Sequence, residues 1–190
     1  MKSDQALKGA KSRLDRVTGS LLKEKLDACL IESPVDLYYL TGLSLSTGKL
    51  FLHPQESRLF VDGRYLQVAH ERAPLPVELG SKEAVSAFLS QVKAKKVGFD
   101  GGRTSYDQLC RLKDYSEIEW TAAGSFFNKL RLIKDQLEIE LMERSAALAW
   151  KGYEWILSAL KVGVTERQIS KGFEIFCLEQ GAVQVVCARL

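Results

Sequence analysis

The sequence predicts an α/β domain with a mixed central sheet flanked by helices, followed by a mainly helical segment. Short apolar runs, typical of buried strands, alternate with amphipathic helix patterns as far as about residue 125. Two of these runs are joined by only five turn-forming residues, so we expect a hairpin and a sheet that is not purely parallel. Long helical patterns then take over, and we therefore expect two domains, residues 1–125 and residues 126–190.

The first elements precede the hairpin. Residues 5–25 carry leucines and a valine at mostly helical spacing, which predicts an amphipathic helix. Residues 27–31 have the pattern of a buried strand, and Ser33-Pro34 ends it. The following Tyr38-Tyr39-Leu40 run is closed by Thr41-Gly42, and we expect it to form an aromatic-rich turn that leads into a glycine- and serine-containing loop.

The hairpin has arms at residues 49–52 and 58–62, with turn-forming residues 53–57 between them. Asp62-Gly63 marks the end of the second arm. Arg64 then begins a helical pattern that two prolines stop.

The rest of the first domain is predicted to contain three strands and two helices. The strands are expected at residues 77–79, 96–99 and 118–121, and the helices at residues 83–92 and 104–112. Thr104, with Asp107 three residues on, resembles a capping box for the second helix. The glycine-rich run at residues 98–102 lacks both the GxGxxG spacing and the following Lys-Ser/Thr of nucleotide-binding loops, so it indicates a tight turn.

Two helices are predicted in the second domain. The first, over residues 135–161, begins with Asp135 as N-cap and Glu138 at the capping-box position. The second, over residues 165–180, begins with Thr165 and has Gln168 at the equivalent position. A strand-like apolar tail over residues 183–190 follows.

Composition narrows the possible partners and location. A net charge of +3 from 27 basic and 24 acidic side chains gives no reason to expect nucleic acid as a partner. No apolar run reaches the roughly 18 residues of a membrane span, and the amino terminus lacks a signal-peptide core, so we expect a cytoplasmic protein without membrane partners. The four cysteines show no CxxC pairing, which argues against a zinc ribbon or a disulfide framework.

No catalytic constellation is visible in the chain. His53 and His70 are its two histidines, and each is more typical of a structural or solvent-exposed residue than of a ligand. No arrangement of serine, cysteine and histidine suggests nucleophilic catalysis. We therefore assign no catalytic and no metal-binding residue.

Four stretches of the sequence carry a family resemblance. They are SPVDLYYLTG at residues 33–42, VDGRY at residues 61–65, RLIKDQLEIELMERSAALAWKGY at residues 131–153, and LKVGVTERQISKGFEIFCLEQGA at residues 160–182. The first two resemble the amino-terminal domain of the creatinase/prolidase/aminopeptidase P family. The last two are similar to the segment that opens the catalytic domain of that family, a duplicated α/β fold known as pita-bread.

The resemblance implies an Xaa-Pro peptidase that acts on short proline-containing peptides. Family enzymes use two divalent metals (Mn, Co or Zn), held by two Asp, one His and two Glu that lie beyond the two opening helices. The chain has no Asp, Glu or His after Ala182, and its tail departs from the family pattern. We therefore expect no cofactor in this chain and no peptidase activity from it alone.

The resemblance also implies two roles for the first domain, formation of a homodimer and closure of a loop over the partner's active site. Matched by position, the substrate-gating candidates are Thr41, Gly42, Ser44, Ser46, Asp62, Arg64 and Tyr65. Arg64 is suited to meeting a substrate carboxylate or to pairing with Asp62. An alternative is that Asp62 and Arg64 serve only helix entry, since Asp-Gly turns usually serve backbone geometry.

Two other interpretations remain open at this point. The chain is alternatively a non-catalytic peptide-binding or self-association module of the same fold, which a stable metal-free dimer would favour. It is otherwise a truncated product without activity of its own, which exposed apolar surface and aggregation would favour.

Overall fold

The computed structural model describes residues 2–115 and 118–182, with side chains from Gly9 onward. The chain divides into two compact units, with the division between Ile133 and Lys134. The predicted tail over residues 183–190 lies outside the described residues.

The first unit is an α/β domain built on a mixed sheet, as predicted. In the described part of the chain, six strands form this sheet: β1 (Ala28–Ile31), β2 (Lys49–Leu52), β3 (Arg58–Val61), β4 (Val77–Leu79), β5 (Lys96–Phe99) and β6 (Glu119–Ala122). Their order is β4-β3-β2-β1-β5-β6. The predicted hairpin is confirmed as the antiparallel pair of β2 and β3, and β2 is also antiparallel to β1. The other neighbouring pairs are parallel.

In the described residues, the helices of the first unit are α1 (Lys2–Ser20), α2 (Pro34–Thr41), α3 (Gly63–Arg72), α4 (Lys82–Gln91), α5 (Tyr106–Lys113) and α6 (Gly124–Lys129). Four helices, α2 to α5, connect strands of this sheet, whereas α1 precedes β1 and α6 follows β6. A 3₁₀ turn, Leu21–Glu24, continues α1, so the predicted first helix has an irregular last turn. Lys25 then takes a left-handed conformation with φ of 56° and turns the chain toward β1.

Successive side chains of a strand point to opposite faces of the sheet, and each face carries its own hydrophobic core. Cys29 and Ile31 of β1 belong to the core that also receives apolar side chains from α1, α2, α3 and α6. Ala28 and Leu30 belong to the core that receives side chains from α4 and α5. Three phenylalanines of the second core, Phe51, Phe60 and Phe88, have ring centroids 5.7–6.0 Å apart. The sheet is therefore the middle of three layers.

The prediction of an aromatic-rich turn at residues 38–42 was wrong, because these residues end helix α2. Pro34 occupies the start of that helix, where its missing N–H costs nothing, and Gly42 ends it with φ of 73°. The helix carries apolar side chains on most of its faces, so it has no helical period for a sequence reading to detect.

The predicted N-cap of helix α5 was also wrong, by one residue. Ser105, not Thr104, is the N-cap of α5, and its Oγ accepts a hydrogen bond from the N–H of Gln108. The side chain of Gln108 accepts one in return from the N–H of Ser105, at 2.8 Å. Asp107 lies inside the helix rather than at the capping-box position.

The second unit contains the two predicted helices, α7 (Gln136–Ala159) and α8 (Glu166–Glu179). Both predicted capping boxes are present, one between Asp135 and Glu138 and one between Thr165 and Gln168. The two helices pack through reciprocal glycine contacts. A Cβ on Gly172 would clash with the Trp155 ring, and one on Gly152 would clash with the Phe173 ring.

Candidate functional site

The first turn of α3 presents an ionic and aromatic group of side chains. Asp62 ends β3 in an extended conformation, and its Oδ1 accepts a hydrogen bond from the N–H of Arg64 at 2.9 Å. The helix therefore begins at Gly63 because Asp62 satisfies one of its free N–H groups. We refer to Ser46, Asp62, Arg64 and Tyr65 as the loop cluster.

Arg64 is the exposed cation of the loop cluster. Its Nη2 lies 2.6 Å from Oδ2 of Asp62, and its guanidinium stands 5.4 Å from the centroid of the Tyr65 ring. Hydrogen bonding to the Arg64 side chain holds the pKa of Asp62 below its usual range. The Arg64 side chain is 70% exposed, so it remains accessible from solvent.

Tyr65 connects α3 to the loop that precedes the hairpin. Its hydroxyl lies 2.9 Å from Oγ of Ser46 and accepts a hydrogen bond from the N–H of Ser46 at 3.3 Å. These bonds lower the pKa of Tyr65. The loop before β2 is thus joined to the helix after β3 by the side chain of Tyr65.

The other predicted gating residues lie at the end of α2. Thr41 is buried, and its hydroxyl donates to the carbonyl of Leu37 at 2.7 Å and accepts from the N–H of Leu43 at 3.1 Å. Gly42 provides the left-handed end of the helix, and Ser44 is exposed in the loop. The structure therefore brings four of the seven candidates together and gives Thr41 and Gly42 a helix-ending position.

A buried carboxylate that the sequence reading missed lies at the start of α2. Asp36 is 2% exposed, with Nη1 of Arg103 at 2.7 Å from one oxygen and Nε of Arg131 at 2.9 Å from the other. Arg103 also donates to Oγ of Ser33 at 3.1 Å. We refer to Asp36, Arg103 and Arg131 as the arginine clamp. Its members are far apart in sequence, so no local spacing signals the cluster.

The histidines have the structural or exposed positions that the sequence predicted. Nδ1 of the buried His53 accepts hydrogen bonds from the N–H groups of Gln55 and Glu56, which shapes the turn between β2 and β3. Burial lowers the pKa of His53, and the negative charge of Asp27 opposes that shift. His70 is exposed in the last turn of α3.

Metal ligands do not cluster in the part of the chain that the structure describes. Across residues 2–115 and 118–182, no group of three or more His, Cys, Asp or Glu side chains is placed to hold a metal ion. These residues therefore do not fit the two-metal ligand set that the family resemblance implies. Over the same residues, no helix is long and apolar enough to cross a bilayer.

The fold defines a class of protein, the mixed-sheet α/β domain that is also seen in solved structures of Xaa-Pro peptidases. The structure matches the Xaa-Pro dipeptidase from Bacillus anthracis with a TM-score of 0.84, over 92% of this chain and 50% of that one, at 23% sequence identity. It also matches the N-terminal domain of cytoplasmic peptidase PepQ from Mycobacterium tuberculosis with a TM-score of 0.58 at 26% identity, over 63% of this chain and 98% of that one.

The sequence comparisons establish the family. Residues 13–133 match the model of the Creatinase/Prolidase N-terminal domain, and the chain belongs to that family. It is 26% identical over 175 residues to the Xaa-Pro dipeptidase of Pyrococcus furiosus, covering 90% of this chain and 49% of that protein. The chain spans about half the length of the curated relatives it matches.

Proposed function

We propose that this chain is the amino-terminal part of an Xaa-Pro peptidase of the aminopeptidase P or proline dipeptidase type, which hydrolyses Xaa-Pro bonds of short peptides. The observation that carries the proposal is the match to the Pyrococcus furiosus Xaa-Pro dipeptidase along 90% of the chain, through both units. In this proposal the first unit is the amino-terminal domain, and α7 and α8 are the first helices of the catalytic domain.

The loop cluster is proposed to gate the substrate in a homodimeric enzyme of the cytoplasm. Arg64 is an exposed cation held in place by Asp62, and a guanidinium in a fixed position suits the carboxylate of a short peptide. Ser44 and Ser46 lie in the loop that Tyr65 connects to the same helix. Movement of this loop would therefore shift the start of α3, which carries Arg64.

The metal site belongs to another part of the proposed enzyme. Two divalent metals (Mn, Co or Zn) are expected for the complete protein, where they would activate a water molecule and polarise the scissile carbonyl. The described residues offer no fitting ligand set, so the proposal assigns them binding and gating rather than bond cleavage.

Hydrolysis of a short Xaa-Pro peptide in the presence of Mn²⁺ or Co²⁺ tests the proposal. The assay compares the 190-residue chain with the complete product of the gene that encodes it. Activity of the complete product alone supports the proposal. Activity of the 190-residue chain would contradict the ligand assignment, and inactivity of both would favour a non-catalytic peptide-binding or self-association module.

The gating role makes a separate prediction in the complete enzyme. Arg64→Gln removes the exposed cation, and we expect KM for a short Xaa-Pro peptide to rise about tenfold, the usual scale for losing one charged hydrogen bond, while kcat changes little. Arg72→Gln, at the other end of α3, is the matched control and is expected to leave both constants unchanged. Equal KM values for the two variants would assign Asp62 and Arg64 to helix entry alone.

A further inference from the structure

A cleft of about 480 Å³ lies away from the loop cluster, between α1, the turn joining β2 to β3, and the segment that precedes β4. Much of its wall is apolar. Leu14 and Leu22 come from the first helical segment, Pro54 from the turn, and Pro74 and Leu75 from the segment before β4. Rings and branched side chains of this kind pack against a compact apolar group.

His53 lines this cleft and provides a hydrogen-bond donor there. The residue is 8% exposed, and its Nδ1 already accepts two backbone N–H groups of its own turn. In the neutral ring the proton is therefore on Nε2. Within residues 2–115 and 118–182, Nε2 has no hydrogen-bond partner. It is also not fully buried. Nε2 is therefore accessible, and it is available as a donor to a ligand in the cleft that His53 lines.

Charges around the cleft largely cancel. Lys11 and Asp15 are one helical turn apart on α1, with opposite signs. Glu56 is paired with Arg58, whose guanidinium also meets Glu78. A ligand with a net charge would gain little here, because each charge at the rim has a neighbour of the opposite sign.

We propose that this cleft binds a small uncharged molecule made of a compact apolar ring and one hydrogen-bond acceptor such as a carbonyl. The acceptor receives the Nε2 proton of His53, and the ring packs against the prolines and leucines of the wall. The site is separate from the proposed peptidase function and depends on none of the loop-cluster residues.

Titration of the ¹⁵N-labelled 190-residue chain with cyclopentyl methyl ketone tests this proposal by NMR. We expect saturable chemical-shift changes confined to residues 11–22, 53–57 and 74–76, together with a shift of the His53 ring nitrogens. Acetone has the same carbonyl without the ring and is expected to bind at least about tenfold more weakly, given about 0.8 kcal/mol per buried CH₂ group. Changes that do not saturate, or that lie outside the cleft, would overturn the proposal.

Two variants test whether the ketone binds in the cleft and whether His53 donates to it. Gly19 lines the cleft, and a Cβ there meets nothing within 4 Å. Gly19→Leu is therefore expected to place its side chain in the cleft and to abolish the shift changes. His53→Asn keeps an acceptor for the turn and removes the Nε2 donor, and it is expected to weaken ketone binding about fivefold. Unchanged ketone affinity in folded Gly19→Leu would refute the site, and unchanged affinity in folded His53→Asn would refute the role of the imidazole.

Discussion

At the scale of single residues, the arginine clamp shows how a charge is tolerated inside this domain. The Asp36 side chain is almost completely removed from water, yet each of its oxygens has its own guanidinium. Both arginines remain about half exposed, so they keep part of their hydration while they neutralise the carboxylate. The clamp joins the start of α2, the turn after β5 and the last residues of the first unit.

Removing the charge of Asp36 is expected to destabilise the domain. Asp36→Asn keeps the size of the side chain and leaves both guanidiniums without their partner, so the free energy of unfolding should fall by about 2 kcal/mol, the scale of a hydrogen bond to a charged group. Asp62→Asn is the matched control, because the Asp62 side chain is 34% exposed and asparagine also caps helices well. Urea denaturation of both variants measures the difference, and equal losses would show that the clamp adds nothing.

His53 predicts a pH dependence of stability. Its pKa is lowered in the folded protein, so the unfolded chain binds more protons as the pH falls below the ordinary histidine value of about 6.5. Stability is therefore fully present above that value and decreases between it and the lower folded pKa. We expect His53→Asn to show a smaller loss of stability than the parent chain between pH 7 and pH 5. Thermal denaturation across that range measures it, and parallel pH profiles would contradict the assignment.

At the scale of elements, local rules predicted most of what the structure shows. The hairpin, the strand at residues 96–99 and both capping boxes of the second unit follow from turn chemistry and capping signals that lie within a few residues of each other. Helix α2 and the arginine clamp were missed for opposite reasons. The helix is apolar on most of its faces and gives no period, and the clamp is made by residues that only the tertiary fold brings together.

The loop cluster was partly predictable for the same reason. Asp62 and Arg64 lie two residues apart at a helix start, which the sequence displays directly. The bond between Ser46 and Tyr65 joins residues 19 positions apart, and it depends on the hairpin that brings the two ends together. Sequence reading therefore found the residues of the cluster but not this contact.

The packing of α7 on α8 is expected to be sensitive to a single methyl group. Gly172→Ala would place a Cβ against the rigid Trp155 ring, and the cost of overpacking exceeds the helix-propensity gain, for a net loss of about 1 to 2 kcal/mol in the second unit. Gly19→Ala, where a Cβ meets nothing, should instead be neutral or stabilising. Circular dichroism during thermal denaturation compares them, and a stabilising Gly172→Ala would contradict the close contact.

At the scale of the whole molecule, the two units differ in how well they cover their apolar side chains. Both core clusters lie within the first unit. The family match, over residues 13–133, covers nearly the same residues as this unit. The helices of the second unit leave large apolar side chains exposed. They include Leu141, Met142, Trp150, Tyr153, Leu157, Ile175 and Leu178. The first unit therefore has what an independently folding domain needs, and the second has a large uncovered surface.

Truncation is expected to separate the independent folding of the first unit from the exposed apolar surface of the second. A chain of residues 1–133 should unfold cooperatively and bind less of a hydrophobic dye such as ANS than the 190-residue chain, because it lacks the exposed side chains of α7 and α8. A chain that ends at residue 130 also loses Arg131 from the clamp and should be less stable by about 2 kcal/mol. Urea denaturation and dye fluorescence measure both effects. A 1–133 chain without a cooperative transition would show that the first unit does not fold alone.

The position of the clamp also has a consequence for the order of events during synthesis on the ribosome. Arg103 lies 67 positions after Asp36, and Arg131 follows later still, so the carboxylate is translated long before either of its partners. At about 5 to 20 residues per second, the first arginine is added several seconds to over ten seconds later. Over that interval Asp36 has neither guanidinium available, and burying it would carry the full desolvation cost. The nascent domain is therefore expected to remain open around α2 at least until Arg103 has left the ribosome.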